Sequence, residues 1–136
     1  MMLNKAAELL KNTMFVSLAS INEAGYPRTC IVTKLQSEGV SKIYVATGTS
    51  SKKTQHFKAN PKASICYYNE QDSVILLGNV NIVECAELKR SMWQDWLLAH
   101  LPDGPDGAEY CLLEFVSNQA TIYIDGGFET VAVDNK

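Results

Sequence analysis

An antiparallel β-barrel decorated by helices, a mainly β (α+β) architecture, is the fold class that this sequence predicts. Three observations predict it. Most of the 136 residues divide into short apolar runs separated by turn residues. Only three segments carry helical spacing. Strands and helices do not alternate regularly, which disfavours a doubly wound parallel sheet.

Taken in order, Leu3, Ala6, Ala7 and Leu10 mark a short amphipathic helix over residues 3–11. Met14 to Ile21 and Arg28 to Leu35 read as strands. Gly25 and Pro27 between them make a hairpin turn. A polar loop from Gln36 to Lys42 leads into a buried strand, Ile43–Ala46. Gly48 breaks that strand, a serine N-cap follows, and a helix runs to Asn60, where Pro61 stops it. Ala63–Tyr68 is the next strand, with Tyr67 and Tyr68 facing opposite sides. Val74 to Glu84 is a long strand holding Gly78, the mark of a bulge, a bend or a close backbone approach. Leu88, Met92 and Trp96, joined by Trp93 and Leu97, predict one amphipathic helix. After the loop Pro102–Gly107, strands are expected at Tyr110–Val116, Ala120–Ile124 and Phe128–Val133.

The length suits one domain spanning residues 1–136, burying roughly 68% of its unfolded surface. A net charge of −3 offers no global attraction for nucleic acid or anionic lipid. No apolar run is long enough to span a bilayer, and Asn4, Lys5 and Glu8 interrupt any signal-peptide core. Cys30, Cys66, Cys85 and Cys111 lie far apart, and neither His56 nor His100 stands at ligand spacing from them. Buried free thiols in a reducing cytoplasm are the expectation, without a metal.

Lys52 and Lys53 break a local rule. They fall in the first turn of a helix, where the dipole favours acidic residues. A compensating partner is implied. Free N–H groups, the Ser51 hydroxyl and two ammonium groups would converge on an anion such as phosphate. A solvated basic turn explains the same pattern, and the local sequence leaves both readings open.

The ordered set of strand, hairpin and strand, then Thr47-x-x-x-Ser51-Lys52-Lys53, then Asn60-Pro61, resembles the pyridoxamine 5′-phosphate oxidase-like FMN-binding split barrels. Val74-x-x-x-Gly78-x-Val80 is similar to that family's barrel-crossing strand. Leu101–Asp106 followed by Tyr110–Phe115 resembles its small general stress protein subgroup. The resemblance covers residues 10–125. It implies a split barrel of six to seven strands, acting as a homodimer with a flavin groove between subunits. Arg28, Ser51, Lys52 and Lys53 would hold the FMN phosphate. Thr29, Cys30, Ile31, Val32 and Thr33 would lie along the flavin ring, with Thr47 and Gly48 flanking the phosphate loop. Lys52 stands where the family more usually has arginine, so one planar fork for phosphate is lost. The C-terminal stretch Gly126–Lys136 has neither the arginine nor the histidine with which the vitamin B6 enzyme binds its substrate.

The resemblance therefore implies an FMN-dependent oxidoreductase acting on an unidentified small molecule, not the vitamin B6 enzyme. The alternative is a non-catalytic flavin-binding or stress-associated dimeric module. Deazaflavin and haem, which other barrels of this kind use, are disfavoured against FMN. Hydrolysis is disfavoured because no nucleophile elbow, carboxylate pair or Cys–His arrangement is present. Trp93 and Trp96 read as helix core rather than flavin stackers, and His56 and His100 as surface or partly packed residues.

Overall fold

The computed structural model describes residues 2–134. Its elements are α1 (Met2–Lys11), β1 (Phe15–Ile21), β2 (Pro27–Glu38), β3 (Lys42–Gly48), α2 (Lys52–Ala59), β4 (Lys62–Asn69), β5 (Asp72–Val83) and α3 (Ala86–Met92). A 3-10 turn (Asp95–Ala99), β6 (Tyr110–Ile124) and β7 (Gly127–Ala132) complete the described chain. All strand pairings are antiparallel, in the order β3-β2-β1-β4-β5-β6-β7, and β3 also pairs with β6. That extra pairing closes six strands into a barrel and leaves β7 as a seventh strand on the outside.

Alternation along each strand fills the barrel. Val16 and Leu18 of β1, Ile43 and Val45 of β3, Ile65 and Tyr67 of β4, and Val74, Leu76 and Val80 of β5 are all buried in one core. Ala6 and Leu10 bring α1 onto this core, and the Tyr67 hydroxyl donates to the Ala6 carbonyl at 2.8 Å. A smaller cluster lies on the other side of β3. There Tyr44, Tyr110 and Leu112 pack with Met92, Leu97 and Leu101. β3 is thus covered on both faces, which is why it reads as an unbroken apolar run.

Three expectations change. The predicted break between Val116 and Ala120 is absent, because β6 changes partner without ending. Its first half pairs with β3 and its second half with β7, while β5 follows it along the opposite side. The polar Ser117 at this switch is buried; its N–H donates to Ser41 O (2.9 Å) and its hydroxyl to Val40 O (2.6 Å). Opposite it sits the Gly78 bulge, where an added Cβ would lie 2.1 Å from Val116 O. Second, the expected single helix through Trp96 breaks at Trp93, whose backbone is extended. Met92 and Leu97 are both buried in the smaller cluster, yet on one helix they would point about 140° apart. The break lets both reach it, and sets the Trp93 ring edge-on to Tyr110 at 5.0 Å. Third, the expected Gln36–Lys42 loop shrinks to a turn around Gly39, because Gln36, Ser37 and Glu38 pair with Tyr44, Ile43 and Lys42.

All four thiols are free, but only Cys111 is buried; Cys30 and Cys66 are half-buried and Cys85 is exposed. Among the described residues, no helix is long and apolar enough to cross a membrane.

Candidate functional site

β3 ends at Gly48, and the chain turns through Thr49 and Ser50 to start α2 at Ser51. Ser51 is the N-cap, accepting from Thr54 N at 3.4 Å. A chain of side-chain hydrogen bonds fixes this corner. Lys53 Nζ donates to Thr47 Oγ1 (3.0 Å), Thr47 and Ser51 hydroxyls are 3.1 Å apart, and Ser51 and Thr54 hydroxyls 2.8 Å apart. Thr54 Oγ1 donates to Gly48 O at 2.8 Å. Since a carbonyl only accepts, Thr54 spends its single proton there. Ser51 must then donate to Thr54, and Thr47 to Ser51. The polarity of the whole chain follows, running from the Lys53 ammonium to the Gly48 carbonyl. Thr54 is fully buried and Thr47 nearly so.

The Lys53 end of this chain opens into a groove of about 370 Å³. Ile31, Val32 and Thr33 of β2 and Thr47 and Gly48 of β3 form one wall. Trp96, His100 and Glu109 come from the segment before β6. The structure therefore brings together five of the sequence-predicted residues besides Lys53, through the second half of the predicted β2 stretch. Thr29 is exposed, and the half-buried Cys30 turns its thiol toward Leu18 O at 3.7 Å; neither lines this groove.

Arg28 and Lys52 are placed elsewhere. They share a second cleft, about 350 Å³, with Ser50, Gln55, His56 and Glu23. Adjacent residues on a helix point about 100° apart, and Lys52 and Lys53 accordingly serve different clefts on the two sides of the Gly48–Ser51 loop. Lys34, next to Thr33 on the strand, caps α1 instead. Its ammonium donates to the Leu10 and Lys11 carbonyls, and burial pushes it below the usual lysine range.

Two residues differ from their sequence reading, and a third was missed. His56 is buried rather than surface-lying or partly packed, with Nδ1 2.8 Å from the buried Ser20 hydroxyl. Trp96 is 45% exposed and faces the groove instead of the core. Glu109, not singled out from sequence, accepts from Ser50 N (3.3 Å to each carboxylate oxygen) and from the Ser50 hydroxyl. Position in the chain signals neither the His56 nor the Glu109 contact, because they cross 36 and 59 residues.

A wider cleft, about 800 Å³, lies on the outer face of β1, β2 and β4 and includes Phe15, Ile31, Tyr67 and Tyr68. As predicted, Tyr67 and Tyr68 diverge, the first buried and the second 72% exposed.

The family model described as pyridoxamine 5′-phosphate oxidase matches residues 2–123. The chain belongs to the pyridoxamine 5′-phosphate oxidase family. Among solved structures, a protein of this family related to general stress protein 26, from Clostridium acetobutylicum, superposes with a TM-score of 0.85 at 23% identity, covering 96% of this chain and 94% of that one. A heme binding protein from Mycobacterium smegmatis gives 0.79 at 17% identity, over 97% of this chain and 58% of the other. A pyridoxamine 5′-phosphate oxidase-related, FMN binding protein from Nostoc punctiforme gives 0.69 at 15% identity, over 97% and 93%. No curated protein matches. At these identities the neighbours show a shared barrel, and they include both an FMN-binding and a haem-binding protein.

Proposed function

We propose that this chain binds FMN and acts as an FMN-dependent oxidoreductase on a small molecule that differs from the substrate of the vitamin B6 enzyme. The observation that carries the reading is the Lys53 ammonium, held by Thr47 at the end of a groove walled by β2. Only one of its three N–H donors is committed to Thr47. The other two can meet phosphate oxygens, and the exposed Arg28–Lys52 pair adds positive potential from the far side of the loop. Ser51 acts through Thr47, because its own proton goes to Thr54. Ile31 and Thr33, with the β2 backbone between them, offer a wall for an aromatic ring, and Trp96 screens the groove from water. When bound, FMN supplies the redox chemistry; the protein's part is anchorage, orientation and exclusion of solvent.

The site is proposed to lie between two copies of the chain. Ile31, Ser17, Cys66 and Ile75 form one row across β2, β1, β4 and β5, all facing outward. Around it Phe15, Ile31 and Tyr68 are each more than half exposed, and Ile75 and Leu77 are 43% exposed. A second copy would cover this face, on which Glu70 is the charged residue of the cleft. Ile31 lines both the apolar cleft and the groove, so the same contact would complete the flavin site. The free thiols fit a reducing cytoplasm.

Titration of dialysed protein with FMN, with riboflavin as the control, tests the reading. Saturable binding that prefers FMN, followed by turnover with NADH or NADPH, is the expected result. Bound but inert flavin would replace the enzyme by a flavin-binding module. Binding of haemin in place of FMN would overturn the flavin reading, and His100 in the groove would then be the ligand to examine.

A further inference from the structure

The start of α2 has no acidic residue in its first turn and two lysines there instead. A carboxylate from 59 residues away stands just ahead of it. The Glu109 carboxylate lies across the Gly48–Ser51 loop and takes the Ser50 N–H and the Ser50 hydroxyl. Its backbone is clamped to the same loop. Thr49 N donates to Glu109 O at 2.8 Å, and Thr49 Oγ1 donates to Ala108 O at 2.8 Å. Gly48 makes room for the carboxylate, since a Cβ there would stand 2.5 Å from Glu109 Oε2. The ion pairs among the described residues are Lys5–Asp125 and Arg90–Asp106, so Glu109 is held by the loop's donors and not by a lysine. Yet it shares the groove with Lys53.

We propose that Glu109 is a built-in anion that competes with a ligand's phosphate for the two donors of Ser50, and so sets how strongly the groove prefers a phosphorylated ligand over its unphosphorylated form. This rests on the reading of the groove as a phosphate-anchoring flavin site. A phosphate arriving beside Lys53 meets a fixed negative charge and finds Ser50 already engaged. To use those donors it must displace the carboxylate, which is carried on an exposed side chain. A ligand without phosphate makes no such demand.

The test is Glu109→Gln in the full chain, which keeps size and an accepting oxygen but removes the charge. FMN, riboflavin and inorganic phosphate are titrated against it and the wild type, the last by thermal shift. The expected result is FMN binding on the order of tenfold tighter than wild type, with riboflavin unchanged. Phosphate should raise the melting temperature of the variant more than that of the wild type. Unchanged or weaker FMN binding in the folded variant, or an equal gain for riboflavin, would overturn the proposal. The phosphate arm separates the two readings. If neither protein binds flavin, a larger phosphate shift in the variant sustains the competition while the flavin reading falls; an equal shift overturns both.

Discussion

Thr54 is the residue through which the site's stability and its chemistry are coupled. It is fully buried, and its hydroxyl gives a proton to Gly48 O and takes one from Ser51. Thr54→Val keeps the shape and deletes both bonds. Each is worth about 1 kcal/mol net, and the stranded Ser51 hydroxyl and Gly48 carbonyl add a desolvation cost, for a total near 2–3 kcal/mol. Gly48 is only half-buried, so water can recover part of its share and the lower figure is the better expectation. At this chain length that corresponds to a fall in Tm of roughly 6–10 °C. Urea unfolding followed by tryptophan fluorescence reads the loss as a lower midpoint with an unchanged slope. The Lys53 ammonium also depends on this chain for its orientation, so FMN should bind several-fold more weakly in the folded variant. Thr54→Ser, which keeps the hydroxyl, should retain FMN affinity. A Thr54→Val protein within about 0.5 kcal/mol of wild type would refute the reasoning, since that is the range of an ordinary surface change.

Two further expectations concern the outer face and the tyrosines. Ile31→Glu places a charge in the proposed subunit interface, where an unpaired charge costs several kcal/mol, so sedimentation should show a monomer and FMN affinity should fall with it; an unchanged dimer would remove this face from the interface. Tyr44, Tyr67 and Tyr110 all have phenols raised above the ordinary value by burial, Tyr44 further by Glu114, and Tyr110 to about 12. Because the unfolded phenols ionise near pH 10, their contribution to stability is complete below about pH 10 and is lost as pH rises toward the folded values. Phenolate absorbance from these three should therefore appear together with unfolding. Their titration near pH 10 in still-folded protein would contradict the burial argument.

Much of the barrel was legible because local signals agreed with the fold. Ser51 and Pro61 bracket α2, Gly78 marks the bulge, and the alternating strands fill one core. The misreadings share a cause, which is that the deciding contact is distant in sequence. Ser117 looks like a strand end until Val40 and Ser41 satisfy it across the barrel. Trp93 looks helical until Met92 and Leu97 both need the same cluster. At the site, charge and helix position singled out Lys52 and Lys53 together. They could not show that Lys52 turns with Arg28 into another cleft, nor that the Glu109 carboxylate takes the Ser50 donors just ahead of the helix.

The measurement that bears most directly on the central claim is the FMN affinity of Lys53→Ala, with riboflavin in parallel and Arg28→Ala beside it. Lys53 lines the groove and Arg28 the neighbouring cleft. The account predicts that Lys53→Ala weakens FMN binding by about 1–3 kcal/mol, a lost charged hydrogen bond, and leaves riboflavin binding unchanged. Arg28→Ala should weaken FMN less, through potential alone. Equal losses of FMN and riboflavin in Lys53→Ala, or no loss of either, would contradict a phosphate site at the head of α2.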